Sequence, residues 1–437
     1  MKIIIVGDGK VGYALSENLS REGHDITIID NQTRVLKKSI ESLDVNTIRG
    51  NGASYAVLKE AGVDEAELLI AATSMDEVNM ICCLAAKKLG AHHTIARIRN
   101  PEYTEQLKLL KDEMGLSMVV NPEYAAAAEI SRLISFPSAI NIGSFAESRV
   151  SLMGFKIEAD SPLAGRAIST LQGRDASSIL ISAVTRGQEV YIPKGDFVIE
   201  AGDNVHIAGT QRNISAFLHS LGKRDKKIRS VLIVGGGFIT VYLSRMLIAG
   251  GVQVKIIEKK QEKCVQLCEL LPSALIIYGD GTEKELLDAE GLAYTGAFIG
   301  LTDIDEENLI MSMYAAYKGV PRVITKINRL EYTSVINKAG IDRVISPKHI
   351  VANDIVRYVR SMETGGGDIR TLYRIIGRQV EMLEFVATDK TRHLGVPMAE
   401  LPLKNDLLIT AIVRDDKVII PKGKNCIQEN DTVIVVT

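Results

Sequence analysis

The chain of 437 residues is predicted to have an α/β fold, with two tandem copies of a Rossmann-like parallel-sheet domain, each followed by a small α+β module. Three observations predict it. Apolar, β-branched segments alternate with helical patterns, a G-x-G-x-x-G turn follows the first of these segments, and the whole pattern recurs further along the chain.

The composition describes a folded protein with an ample core and excludes several other classes. Hydrophobic residues make up 46% of the chain and the net charge is −2, so no general basic field attracts nucleic acid. Aromatic residues are scarce, at 5%, which disfavours base-stacking platforms. No apolar stretch reaches the ~18 residues of a membrane span. The N-terminal MKIIIVGDGK is predicted to be a buried strand rather than a signal peptide, and the unpatterned cysteines favour a reducing cytoplasm.

The repeat is in register along most of the chain. KIIIVGDGKVGYALSENLSREGHDITIID (Lys2–Asp30) matches SVLIVGGGFITVYLSRMLIAGGVQVKIIE (Ser230–Glu258), an offset of 228 residues, and Ile179–Thr210 matches Leu407–Thr437 at the same offset. Duplication explains these matches better than chance does. The chain is therefore predicted to have four domains, at residues 1–135, 140–222, 230–360 and 368–437, with connectors at 222–230 and 362–368.

The elements follow one order within each half. In the first half, KIIIV, DITIID, NTIRG, ELLIAAT and HTIARIR are predicted strands of a parallel sheet, since they are almost continuously apolar and helical stretches separate them. The module that follows is predicted to contain short strands, among them SSILISAVTRG, EVYIP and NVHIAGT, with a turn at Pro193–Gly195.

The glycine turn of the first half predicts a nucleotide site. Gly7 allows a tight turn, Gly9 lets a pyrophosphate approach the backbone at the helix N-terminus, and Gly12 lets the helix pack on the strand. Asp30 ends the second strand, where a carboxylate binds ribose hydroxyls and repels a 2′-phosphate, so NAD is favoured over NADP. The candidate residues are this loop and the strand ends of the same crevice: Gly7, Asp8, Gly9, Lys10, Val11, Gly12, Asp30, Asn51, Gly52, Thr73, Ser74 and Arg97.

Two arginines and one aspartate near this crevice have further predicted roles. Arg97 and Arg99 are predicted to lie in the fifth strand, where a buried charge needs a partner. Arg97 either reaches the phosphates or forms an ion pair within the domain. Asp76 is predicted to be the N-cap of the following helix.

The second half carries an altered copy of the site. Thr240 replaces the third glycine, Glu258 replaces Asp30, and Asp303 places a negative charge where phosphate would lie. The copy either binds a nucleotide, a mononucleotide included, or is a structural copy. Its candidate residues are Gly235, Gly236, Gly237, Phe238, Ile239, Glu258, Asp280, Gly281, Thr302 and Lys326. Cys264 and Cys268 are predicted to be core residues, and no metal site is predicted.

A catalytic constellation is missing from the sequence. None of the seven histidines recurs at matched positions in the two halves, and the motifs G-x-S-x-G, H-E-x-x-H and G-x-x-x-x-G-K-[ST] are absent. A nucleotide sensor without enzymatic activity is therefore favoured. The glycine fingerprint alone would also suit an NAD-dependent oxidoreductase, and a scaffold that binds no nucleotide is the third hypothesis.

The domain order and the motifs GDGKVG, RGNGA, ATSMDEVN and ARIRNPEY, together with Asp30, resemble the regulator-of-potassium-conductance (RCK, or KTN) family of Trk potassium uptake systems. The resemblance implies a cytoplasmic regulatory subunit, peripheral on the inner face of the cell membrane. It implies a homo-oligomer, a dimer or a tetramer, that forms a ring below an integral-membrane potassium translocator (TrkH- or TrkG-like). NAD (NAD⁺ or NADH), or ATP or ADP, would bind in the Rossmann crevices and gate transport.

Overall fold

The computed structural model describes residues 1–104, 111, 113–135, 141–146, 149–171, 178–187, 189–221, 228–328, 341, 343–363, 369–376, 380–403 and 407–437. The chain divides into two compact units. The first unit contains the described residues of 1–135 and 227–356, and the second contains those of 136–226 and 357–437. The predicted domain boundaries at 140, 222 and 368 lie outside the described residues, as do most of the two predicted connectors, so the division into four domains stays a prediction.

The first half of the chain begins with a six-stranded, wholly parallel sheet in the order β3-β2-β1-β4-β5-β6. Its elements are β1 (Lys2–Val6), α1 (Lys10–Arg21), β2 (Asp25–Asp30), α2 (Thr33–Ser42), β3 (Asn46–Arg49), α3 (Tyr55–Glu60), β4 (Leu68–Ala71), α4 (Asp76–Leu89), β5 (His93–Arg97), α5 (Pro101–Thr104), β6 (Met118–Val120) and α6 (Pro122–Ser135). The chain reverses its strand order between β1 and β4, which is the switch point where doubly wound folds bind ligands.

The second half repeats this sheet, in the order β16-β15-β14-β17-β18-β19. Its elements are β14 (Ser230–Val234), α8 (Phe238–Ala249), β15 (Gln253–Glu258), α9 (Gln261–Leu270), β16 (Leu275–Tyr278), α10 (Lys284–Ala289), β17 (Ala297–Gly300), α11 (Asp305–Tyr317), β18 (Val323–Lys326), β19 (Arg343–Ile345) and α12 (Pro347–Glu363). Strand segments such as Ile3–Ile5 and Ala297–Ile299 are completely buried, as expected for a sheet covered on both faces.

The two Rossmann-like domains pack together through helices. Helix α6 lies against α8, and the rings of Tyr124 and Tyr242 meet edge to face with their centroids 5.5 Å apart. Helix α6 therefore joins the first half of the chain to the second within the first unit.

The second unit is built around antiparallel sheets and also contains a helix at Gln211–Ser220, in agreement with the predicted α+β modules. The first module orders its strands β11-β10-β13-β8-β7 and the second β20-β21-β24-β22-β23. Their bounds are β7 (Asn141–Phe145), β8 (Val150–Lys156), β9 (Arg166–Ala167), β10 (Ile179–Arg186), β11 (Glu189–Tyr191), β12 (Val198–Ile199), β13 (Asn204–Gly209), α7 (Gln211–Ser220), β20 (Ile369–Ile376), β21 (Val380–Val386), β22 (Leu408–Arg414), β23 (Lys417–Ile419) and β24 (Thr432–Val436).

One core joins the two modules, and an arginine–aspartate ion pair recurs at the 228-residue offset. Val150 and Leu152 of the first module share a buried cluster with Met382 and Val436 of the second. Arg186 binds Asp203 through two hydrogen bonds of 2.8 Å, and the matched pair 228 residues later does the same, with Arg414 donating to Asp431 at 2.8 and 2.7 Å. Bidentate arginine–carboxylate pairs of this kind hold the strand ends in one geometry.

No helix in the described part of the chain combines the length and the apolar character needed to cross a membrane.

Candidate nucleotide-binding cleft

The first glycine loop has the geometry of an anion cradle. Gly7 has a φ of +95° and donates its N–H to the carbonyl of Ile29 at 2.8 Å, so the backbone turns sharply as β1 ends. A Cβ added to Gly12 would lie 1.8 Å from the carbonyl oxygen of Gly7, whereas one added to Gly9 would meet no described atom within 4 Å. Gly12 therefore allows α1 to pack closely against the loop at Gly7, and Gly9 keeps open the space in front of the α1 N-terminus.

Asp30 holds this loop in place. Its Oδ2 accepts the backbone N–H of Asp8 at 2.8 Å, and its Oδ1 accepts that of Gln32 at 2.8 Å. The carboxylate thus stands between the glycine loop and the turn after β2, where its remaining lone pairs suit ribose hydroxyls.

Asp8 is a second carboxylate beside Asp30, and it is buried. Ser39 on α2 donates its hydroxyl to Oδ2 of Asp8 at 2.6 Å, and no described donor reaches Oδ1. Burial raises the pKa of Asp8 from 3.8 to about 6; the Ser39 hydrogen bond and the charge of Lys38 oppose this, and the charge of Asp30 adds to it. Asp8 is too enclosed to face the cleft, so its place is behind the loop.

This burial predicts a pH dependence of stability. The folded protein keeps the Asp8 proton to a higher pH than the unfolded chain does, so the stability from this group is complete below about pH 4 and is lost as the pH rises through about 6. Between pH 4 and 8 we expect the free energy of unfolding of the wild type to fall by about 3 kcal/mol relative to that of Asp8→Asn, measured by urea unfolding at each pH. Parallel pH profiles for the two proteins would contradict the burial argument.

The strand ends β4 and β5 are tied together by an asparagine in each half. Asn79 Oδ1 accepts the N–H of Thr73 at 2.8 Å, and its Nδ2 donates to the carbonyl of Arg97 at 2.8 Å. Asn308 does the same in the second half, accepting from Thr302 at 2.8 Å and donating to Lys326 at 3.0 Å. A buried amide bonded on both sides fixes the crevice edge.

The cations at these strand ends form ion pairs. Arg97 lies 3.1 Å from Glu123, which is within the same domain, and both side chains are largely buried. Burial lowers the pKa of the Arg97 guanidinium, and Glu123 only partly offsets this. In the second half Lys326 pairs with Asp303 at 3.1 Å, so the carboxylate expected to repel phosphate has a cation beside it. The intradomain pair predicted as one alternative for Arg97 is present, and its contact with phosphate stays a prediction.

Two predictions near this edge were wrong. Strand β5 ends at Arg97, so Arg99 lies in the turn beyond it, where its guanidinium donates to the carbonyl of Ser74. Asp76 is the first residue of α4 and does not cap it; its Oδ2 instead accepts the backbone N–H groups of Arg99 and Asn100, each at 2.8 Å. The carboxylate bonds the turn after β5 because that turn lies directly over the helix N-terminus.

The second glycine loop accommodates its substitutions. Thr240 is buried, and its hydroxyl donates to the carbonyl of Gly235, so the added bulk brings its own hydrogen bond. Glu258 accepts the N–H of Gly236 at 2.6 Å and that of Lys260 at 2.8 Å, which repeats the arrangement around Asp30. Cys264 is buried under the carbonyl of Glu258, whereas Cys268 is exposed, contrary to the prediction that both are core residues.

Both crevices open into one cleft of the first unit, with a volume of 1490 Å³. This exceeds the ~300–1,000 Å³ of an ordinary small-molecule site, since the cleft covers two crevices. All the candidate residues of both halves line it except Asp8 and Gly12, which lie behind the first loop. Lysines from both halves also line it: Lys10, Lys259, Lys260, Lys263, Lys326 and Lys348. The arrangement can bind anionic, phosphate-bearing ligands.

Comparisons with known proteins identify the family of the chain. The TrkA-N domain model matches residues 3–122 and 231–347, and the TrkA-C domain model matches residues 152–222. A Trk system potassium uptake protein TrkA homolog of Methanosarcina mazei is 32% identical over 443 residues, covering 100% of this chain and 97% of that relative. The TrkA of Halomonas elongata is 34% identical over 441 residues, covering 100% and 95%. The chain belongs to the TrkA family.

Solved structures show the same fold. The GsuK RCK domain has a TM-score of 0.66 at 19% identity, covering 100% of this chain and 92% of that one. A GsuK channel bound to NAD has a TM-score of 0.66 at 19% identity, covering 99% of this chain and 76% of that one. The Rossmann-like and α+β architecture predicted for this TrkA-family chain is thereby confirmed.

Some cleft residues of this TrkA-family chain were missed from its sequence. Glu123 follows a proline at the start of a helix and carried no local sign of pairing with Arg97. Lys259 and Lys260 come directly after the strand-end acid Glu258, a position that could have indicated a role. That the two crevices share a cleft depends on packing between the halves, which no local motif encodes.

Proposed function

We propose that this chain is a cytosolic, nucleotide-binding regulatory subunit of a Trk-type potassium uptake system. The observation that carries the proposal is that the two Rossmann crevices of a TrkA-family chain open into one cleft lined by glycine loops, strand-end acids and lysines. Ligands bound there would favour one arrangement of the two crevices over another, which is what a regulator of a translocator requires.

NAD is the ligand that the first crevice suits best. Asp30 would bind the adenosine ribose, the space in front of Gly9 would hold the pyrophosphate at the α1 N-terminus, and Arg97 would lie near the phosphates. Supporting this, the related fold of the GsuK channel has been solved bound to NAD and to ADP. The second crevice, with Glu258 in place of Asp30, is proposed to bind an adenine nucleotide, ATP or ADP.

Asp30→Ala tests whether the first crevice binds NADH through this carboxylate. We expect purified wild-type chain to bind NADH saturably in calorimetry without consuming it, and Asp30→Ala to bind it at least about 10-fold more weakly, because two charge-assisted hydrogen bonds to ribose are lost. Asp25→Ala, which removes an exposed acid at the other end of the same strand, is the matched control and should bind normally. Equal NADH affinity of the wild type and Asp30→Ala would show that Asp30 is not part of the binding site. Steady oxidation of NADH by the purified chain would favour an oxidoreductase.

The proposed partner is an integral-membrane potassium translocator of the TrkH or TrkG type, which the chain would meet at the inner face of the cell membrane. The support is membership of a family whose curated relatives are named as potassium uptake proteins. Co-purification of the tagged chain with candidate translocators tests the pairing.

We propose further that copies of the chain assemble into a closed ring. Helix α11 exposes Ile310, Met313 and Tyr317 along one stripe, and α4 exposes Ile81 and Leu84 at the matched positions of the first half. Two equivalent apolar faces on one duplicated chain let each copy bind two neighbours, as a ring requires.

A charge in this stripe should break the ring. We expect Ile310→Asp, alone or with Ile81→Asp, to convert the oligomer to single chains in sedimentation experiments, because burying an unpaired carboxylate costs more than the contact returns. Val265→Asp, which changes an equally exposed residue on α9, should leave the mass unchanged. An oligomer that survives both stripe substitutions would rule out this face.

A further inference from the structure

Tyr242 belongs to the second half of the chain but bonds to the first nucleotide crevice. It lies on α8, the helix that starts at the second glycine loop, and it is buried. Its hydroxyl donates to the carbonyl of Arg99 at 2.9 Å and accepts from Nδ2 of Asn121 at 3.0 Å. Both partners lie just beyond strands of the first half, Arg99 in the turn after β5 and Asn121 directly after β6.

The Arg99 backbone that Tyr242 holds is part of the edge of the first crevice. The carbonyl of Arg99 accepts from the Tyr242 hydroxyl at 2.9 Å and, at the longer distance of 3.4 Å, from Nδ2 of Asn121, while the N–H groups of Arg99 and Asn100 donate to Asp76 at 2.8 Å. The Arg99 guanidinium in turn holds the carbonyl of Ser74. One hydroxyl therefore closes a chain of hydrogen bonds that ends at a residue lining the cleft.

The same edge of the crevice packs closely against the first glycine loop. A Cβ on Gly7 would lie 2.8 Å from the backbone nitrogen of Thr73, the residue before Ser74. A shift of the Ser74 carbonyl would move Thr73 and with it the wall of the phosphate cradle. Packing of this tightness transmits small displacements instead of absorbing them.

The link is asymmetric in its chemistry. The position matched to Tyr242 in the first half, 228 residues earlier, is Ala14, which has no hydroxyl to offer to the second half. In the second half, the turn that matches the Arg99 turn is held by Asp305, which accepts a hydrogen bond from the backbone N–H of Asn328 at 2.9 Å. Of the two matched positions, the one on the helix whose N-terminus faces the second site is thus the one that carries the hydroxyl.

We propose that Tyr242 is a positioning residue of the first nucleotide site, supplied by the second half, and that it couples the ligand state of the second glycine loop to affinity at the first. The proposal rests on the proposed function, since it assumes that nucleotide binds in these crevices. A ligand that shifts α8 changes the hold on Arg99, and by linkage a ligand at the first site changes affinity at the second by the same factor.

Tyr242→Phe tests it, because the substitution removes the hydroxyl and keeps the ring packed on Tyr124. We expect NADH affinity at the first site, measured by calorimetry with Glu258→Ala present to silence the second site, to fall about 3- to 10-fold. When Tyr242→Phe is made in a chain that keeps Glu258, saturating ADP should change its NADH affinity much less than it changes that of the wild type. The matched control is Tyr13→Phe, which removes a hydroxyl from α1 whose hydrogen bond among the described residues, to Ser42 at 3.0 Å, lies within its own half.

A second measurement separates positioning from general stability. Hydrogen exchange of the unliganded chain should speed up several-fold at the amides of Arg99 and Asn100 in Tyr242→Phe and not in Tyr13→Phe. A lower melting temperature with unchanged NADH affinity and unchanged exchange would overturn the inference. A wild type that binds no NADH would overturn the proposed function and this inference together, whereas equal binding by the wild type and Tyr242→Phe would overturn this inference alone.

Discussion

Gly9→Ala is expected to abolish NADH binding at the first site while leaving the protein as stable as the wild type. A Cβ at this position meets no described atom within 4 Å, and the residue has an ordinary φ of −75°, so the protein itself tolerates alanine. The same Cβ would project into the space where the pyrophosphate must approach the α1 N-terminus. We expect at least about a 100-fold loss of affinity in calorimetry and an unchanged urea midpoint.

Gly12→Ala should show the opposite balance. Its Cβ would lie 1.8 Å from the Gly7 carbonyl oxygen, a backbone atom that cannot move aside without opening the loop, so we expect a destabilisation of more than about 3 kcal/mol. Thr240→Ala is the matched control at the second loop and should cost only about 1 kcal/mol, the value of its hydroxyl bond. If Gly9→Ala bound NADH normally, or Gly12→Ala were as stable as the wild type, the roles assigned to these glycines would be wrong.

The second large effect is expected from Glu123→Ala. The substitution leaves the Arg97 guanidinium largely buried and without its carboxylate, and we expect the first Rossmann-like domain to lose about 3 kcal/mol of stability in urea unfolding. Replacing both partners, as Arg97→Met with Glu123→Leu, should restore near wild-type stability, because no charge is then left unpaired.

NADH binding by that double variant decides what Arg97 does. We expect its affinity to fall about 10-fold, because a cation near the phosphates is lost although the fold is intact. Full affinity in a stable double variant would assign Arg97 to the ion pair alone and remove it from the site.

The sequence predicted the sheets well because their physical determinants are local. Buried parallel strands such as Ile3–Ile5 are continuously apolar, and Gly7 and Asp30 stand at fixed places relative to the first strands. The sixth strands were not predicted: β6 and β19 each contain three residues, too few to show a period.

The geometry of the candidate site was predictable where a motif encodes it and unpredictable where packing determines it; which residues bind a ligand stays a prediction. The glycine loops, Asp30 and Glu258 follow from spacing, since the βαβ unit brings them to one edge. The Asp76 bonds to the turn at Arg99 and the hydroxyl of Tyr242 on the same residue depend on contacts between elements distant in the chain. Asp8 illustrates a third case, because its neighbour Ser39 lies on α2 and only the fold encloses the pair.

Nucleotide in the cleft is proposed to control a potassium translocator. The most direct measurement is potassium flux into proteoliposomes that contain a Trk-type translocator co-purified with this chain, with and without NADH, ATP or ADP. We expect nucleotide to change the flux several-fold with the wild-type chain, and Asp30→Ala to remain bound to the translocator but to lose the response to NADH. Flux that ignores every nucleotide in the wild-type complex, or that responds to NADH equally with Asp30→Ala, would contradict the claim.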